Sequence, residues 1–224
     1  MTNTANIQAK NNIDINSKSI DNKGMIVAEK EISIKSNNIN NSNKLVAKES
    51  LNINNKILTN SGKIYSGKET KIVNQKIDNT GDIASSGKIN IDSTDIESNN
   101  ILANGDISIN TKELKSKGKI YSDKDIKLIA NNIENKELIG KNVNIETDKL
   151  ESTDKLIATN NMIVNSGVLN NNSLIQASKM VLVGDTITNN GDVLAVNDVT
   201  IKNKNLKNDG SLINNKRIQS NNTL

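Results

Sequence analysis

The chain has 224 residues, enough for one or two globular domains, yet it contains no Phe, Trp, Cys, Pro or His, and Tyr65 and Tyr121 are its only aromatics. Asn supplies 43 residues and apolar residues only 34%, so a core must be built from Ile, Leu, Val and Ala alone. The net charge of +4 comes from 29 basic and 25 acidic residues mixed along the chain, which leaves no basic arm or acidic tail and, without stacking aromatics, argues against nucleic acid as a partner.

Residues 1–6 carry no pattern and are expected to form an irregular lead-in. From residue 7 to residue 224 a single repeat domain is expected. Its first unit reads apolar-x-small: Ile7-Gln-Ala9, Ile26-Val-Ala28, Leu45-Val-Ala47, Ile64-Tyr-Ser66 and onward to Leu212-Ile-Asn214, in steps of 18 or 19 residues. A second unit, apolar-x-apolar, usually follows six residues after the start of the first, as in Ile13/Ile15, Ile32/Ile34 and Leu51/Ile53. Thr70 is the one hydroxyl on the inner side of this unit, and a local bond to backbone is expected for it. In the twelfth coil only Ile218 remains of this unit.

A third apolar position lies five residues beyond the second unit, from Ile20 to Leu206, with Leu224 near the same place at the end. Two residues after it stands Asn or Ser in every coil: Asn22, Asn41, Asn60, Asn79, Ser98, Ser116, Asn135, Ser152, Asn171, Asn189 and Asn208. A glycine often comes two residues later, as at Gly24, Gly62, Gly81 and Gly191, which suits a turn of positive φ. Glu137 and Ser173 take that place in two coils and do not fit such a turn.

Low hydropathy and abundant Asn also characterise disordered chains, but disorder does not require regular placement of aliphatics. Alternation by two marks short strands with every second side chain turned inward. Three strands per 18–19 residues predict an all-β parallel β-helix of about twelve triangular coils. One coil cannot bury its own aliphatics, whereas stacked coils cover one another. At about 4.8 Å per coil the rod would be roughly 58 Å long. The Asn/Ser column is expected to act as a ladder of side-chain hydrogen bonds along the axis.

The middle residue of the first strand should face outward. Val27, Val46, Tyr65, Leu102, Tyr121, Ile139, Ile157, Leu194 and Ile213 form an apolar stripe there, interrupted by Gln8, Ala84 and Gln176. Exposed apolar patches often mark partner surfaces. The bland alternative is that β-branched residues merely suit strands.

The absence of His and Cys removes the usual bases, nucleophiles and zinc ligands, so no enzyme activity, metal or cofactor is expected. A carboxylate-based polysaccharide-processing β-helix enzyme is the remaining catalytic alternative. No segment has the length or apolarity of a membrane span, and residues 1–25 hold no signal-like apolar stretch.

The coils resemble the hemagglutinin repeats of the filamentous hemagglutinin family, large two-partner-secreted adhesins. Asn60-Ser-Gly62, Ile64-Tyr-Ser66 and Thr70-Lys-Ile72 match the family's successive Asn-x-Gly, Ile-x-Ala and Leu-x-Ile units, as do Asn189-Asn-Gly191, Val193-Leu-Ala195 and Val199-Thr-Ile201. The resemblance spans residues 7–224. It implies a right-handed parallel β-helix, secretion through an outer-membrane partner, and display at the bacterial surface. It further implies adhesion to host or bacterial cells through a surface receptor. Relatives with the same stalk carry a C-terminal toxin for contact-dependent inhibition. No secretion or effector domain is recognisable here, so a segment of a longer fibre is expected, with end-to-end or lateral self-association open to it.

Overall fold

The computed structural model describes residues 1–214 and 217–220. Leu224 lies outside them, as does the side chain of Ile218. Every strand joins one 22-stranded parallel sheet that winds around a single axis, giving a solenoid of about eleven turns of roughly 19 residues. Each turn contributes three faces: face A from the apolar-x-small unit, face B from the apolar-x-apolar unit, and face C from the apolar-x-Asn unit.

The stacking is in register. On face B, Ile32 pairs with Leu51, Leu51 with Thr70 and Thr70 with Ile89. On face A, Ile26 pairs with Leu45 and Leu45 with Ile64. The inner residues of all three faces are buried and form one continuous core, in which Ile64, Ile72 and Ile77 are fully covered. Ile7, Ile15, Leu206 and Leu212, near the two ends of the described stack, are only partly buried. β-Branched aliphatics suit this arrangement, since their stiff side chains pack well on a pleated surface.

Coils of different length are reconciled at corners. Asn79 pairs with Ser98 nineteen residues on, but Asp82 pairs with Asn100 eighteen residues on, and the register shift falls between them. Similar shifts lie between Ser98 and Ile101 and between Asn135 and Glu137. The strands themselves keep their columns.

Three expectations change. The lead-in is not wholly irregular: Thr2–Asn3 is a strand paired with Asp21 and Asn22, and a second strand starts at Asn6. No described residue, glycine included, has positive φ. The glycines serve close approach instead: a Cβ on Gly62 would lie 2.0 Å from the Asn43 carbonyl oxygen of the coil below. Finally, Thr70 does not bond backbone. Its hydroxyl donates to Ser66 Oγ at 2.8 Å, and Ser66 bonds Ser85 Oγ at 2.8 Å, forming a buried hydroxyl chain inside the core.

Candidate interaction surface and the polar columns behind it

The Asn/Ser residues of face C stand in one column but are not joined throughout. Asn3 donates to Asn22, Asn22 to Asn41, Asn41 to Asn60 and Asn60 to Asn79, at 2.6–2.7 Å, and Asn79 donates to Ser98 Oγ at 2.8 Å. The same amides also reach backbone carbonyls beyond the next rung, as Asn22 does to Lys44 at 3.1 Å. A second run links Asn171 to Asn189 and Asn189 to Asn208, each at 2.6 Å.

Between the two runs the ladder is broken. Ser116 turns its hydroxyl to the Gly118 carbonyl at 3.3 Å, and Asn135 donates to the Lys155 carbonyl at 3.1 Å. Asn135 Oδ1 and Ser152 Oγ are buried without a hydrogen-bond partner in the protein. An Asn amide carries two donor hydrogens, so Asn79 serves Ser98 Oγ and the Asn100 carbonyl at 3.3 Å together, whereas the single hydroxyl hydrogen of Ser116 goes to Gly118 and Asn135 serves only the Lys155 carbonyl.

A second polar column escaped the sequence reading. At the corner between faces B and C, Ser17, Ser36, Ser93, Thr111, Thr147 and Ser166 each donate a hydroxyl to the carbonyl two residues on, at 2.6–3.2 Å. Asn55 and Asn74 occupy the same column. These hydroxyls satisfy carbonyls where the ladder of backbone bonds turns the corner.

The expected stripe exists as a column on face A. Val27 pairs with Val46, Val46 with Tyr65, Leu102 with Tyr121, Tyr121 with Ile139 and Ile139 with Ile157. Gln176 pairs with Leu194, and Leu194 with Ile213. These side chains are half-buried by their neighbours, and only Ile213, at 53%, is largely exposed. The two tyrosines are held in place. Lys63 Nζ lies 5.2 Å from the Tyr65 ring centre and Lys119 Nζ 4.9 Å from that of Tyr121. Tyr65 bonds Ser86 Oγ at 2.6 Å, and Tyr121 donates to Asp123 Oδ1 at 2.5 Å. Asp123 accepts from the phenol and repels a phenolate, so Tyr121 loses its proton above the usual phenol range.

Part of the charged surface is self-paired. At the corner between faces A and B, Glu29 pairs with Lys48, Glu49 with Lys68 at 3.1 Å and Glu69 with Lys88 at 3.3 Å, always one coil apart. On face C, Glu134 pairs with Lys115 at 3.0 Å and Glu97 with Lys117. The Lys117 ammonium bonded to Glu97 holds that carboxyl below its usual range. A shallow groove of about 720 Å³ runs along the corner between faces B and C past Asp92, Lys112, Glu146 and Asp148. Among the described residues no cluster of His, Cys, Asp or Glu could hold a metal, and no helix is long and apolar enough to cross a membrane. Comparisons with family models, with curated proteins and with solved structures found no match for this chain.

Proposed function

We propose that this chain is a stiff stalk segment of a bacterial surface adhesin, serving attachment to host or other cells through its flanks. One observation carries the reading. Parallel strands stack in register from Thr2 to Ser220, so that each coil is fixed to the next by backbone bonds, a buried aliphatic core and side-chain bonds along the axis. Such a rod transmits position along its axis and presents long, repeating flanks. The adhesive part of the reading comes from the resemblance to hemagglutinin repeats and from the apolar stripe on face A. The same build would serve the stalk of a toxin-delivery protein, and a C-terminal toxin module in the flanking sequence favours that alternative.

The test is binding of beads coated with the purified chain to epithelial cells and to bacteria. Beads carrying the wild-type chain should be retained. A triple variant, Val46→Asp, Leu102→Asp and Ile157→Asp, should lose retention while its circular dichroism stays that of stacked strands. Equal retention of coated and bare beads would defeat the adhesive reading and leave only the rod.

A further inference from the structure

We propose that two copies of this chain associate side by side and antiparallel through face A, about a two-fold axis that runs along the strands between Ala84 and Leu102. The proposal does not depend on the adhesive reading. It rests on an order in the stripe that strand propensity does not require.

From the midpoint between Ala84 and Leu102, the column reads alike in both directions. The next residue outward is Tyr65 on one side and Tyr121 on the other. Beyond them come Val46 and Ile139, then Val27 and Ile157, all β-branched. Gln8 and Gln176 follow at the two ends. A two-fold interface must be self-complementary: residue i meets j, and j meets i. Turning a second copy end over end therefore places Tyr65 against Tyr121 of the second copy, twice. It sets small Ala84 against large Leu102, and closes each end with a Gln8–Gln176 amide pair.

The flanking column agrees in part. Two residues before the stripe, Lys44 would face Glu137, and Asp82 would face Asn100. Lys63 would face Lys119, a like-charged pair, but each already lies over its own tyrosine ring. Leu194 and Ile213 overhang the matched segment. Eight matched apolar positions at about 4.8 Å cover roughly 38 Å, and a four-residue strand is about 13 Å wide. That is about 500 Å² per copy, or about 1,000 Å² in all, which is the size of a weak, reversible interface.

The chain has no cysteine, so single cysteines report unambiguously. Val46→Cys and Ile139→Cys are prepared separately in the full chain, then oxidised alone and mixed at about 100 µM, where an association of micromolar strength is populated. The antiparallel arrangement predicts that the mixture forms disulfide dimers about tenfold faster than either variant alone, because only the mixed pair is held in proximity. Faster self-linking of Val46→Cys would mean a parallel pairing and overturn the proposal. Equal, slow linking in all three samples would overturn it as well. Sedimentation velocity of the wild-type chain is independent of either variant's folding. A monomer throughout the range up to 200 µM, on the order of the concentration at which so small an interface is occupied, also contradicts the proposal.

Discussion

Asn135 and Ser152 are register partners on adjacent coils, in the same column as Asn60 and Asn79, yet no hydrogen bond joins them. Asn60 and Asn79 are joined at 2.7 Å. An Asn–Ser rung can close, as Asn79 to Ser98 does at 2.8 Å, and the gap lies where Asn135 gives its amide to the Lys155 carbonyl instead. Ser152→Asn should set an amide oxygen beside Asn135 as an acceptor and offer a donor to Asn171. A net hydrogen bond contributes about 1 kcal/mol, so the midpoint of thermal unfolding should rise by roughly 2–4 °C. Asn60→Ala should act in the opposite sense. It strands the Asn41 donor and the Asn79 acceptor inside the protein and should cost about 2–4 kcal/mol. Urea unfolding of the two variants measures both effects, and a Ser152→Asn variant less stable than wild type would refute a stabilising rung at this step.

Gly62 is required by closeness, not by dihedral angle. Its φ is not positive, and a Cβ there would meet the Asn43 carbonyl oxygen at 2.0 Å. Gly62→Ala should therefore be destabilising by about 1–3 kcal/mol, the usual cost of forcing an atom into filled space. A D-alanine at position 62, introduced by ligation, gives the control. If a left-handed backbone were the cause, D-alanine would restore wild-type stability, and the structure predicts that it does not.

Tyr121 should hold its proton longer than a free phenol. The folded-state pKa of Tyr121 is raised by the Asp123 carboxylate, so the associated stability is fully present below the unfolded value near 10 and is lost as pH rises through the folded value. Absorbance at 295 nm should show one tyrosine ionising later than a free phenol, and Asp123→Asn should bring it back. At the acid end the sign reverses. Glu97 has a lowered pKa, so its stabilising contribution is present above the unfolded value of 4.5 and fades as pH falls through the folded one. Because Glu97 and Lys117 are exposed, Glu97→Gln should change stability little at neutral pH and erase only a small part of the acid dependence.

The core and the three-sided coil were legible because Ile, Leu and Val recur at fixed places with period-two alternation, and stacking in register converts that order directly into columns. What stayed hidden depended on the choice of hydrogen-bond partner and on close approach. Asn22 and Ser116 obey the same sequence rule, but Asn22 donates to the next rung and Ser116 to the Gly118 carbonyl, so the rule foretold the column and not its gap. Ser17, Ser36, Ser93 and Thr111 differ enough to pass for ordinary turn residues. Their shared role appears only where the hydroxyls are seen to serve the corner carbonyls. Thr2 and Asn3 are too short a stretch to display a repeat, although Asn3 begins the ladder. The stripe on face A was visible as outward-facing apolar residues. Its depth was not, because how far a neighbouring coil shields Val46 or Leu102 depends on the side chains beside it.

A stiff stack of this kind advances the chain by the same amount at every coil. Lys44, Lys63, Asp82, Asn100, Lys119, Glu137, Lys155, Leu174 and Asp192 occupy one outward column. Lys119, Lys155 and Asp192 therefore lie four, six and eight coils from Lys44, at about 19, 29 and 38 Å for a 4.8 Å step. Spin labels on cysteines at Lys44 and each of these positions in turn, measured by pulsed electron–electron resonance at low micromolar concentration, read those separations directly. A stiff stack gives narrow distributions whose means fall on one line of about 4.8 Å per coil. Broad distributions, or means that do not rise linearly with coil number, would contradict it.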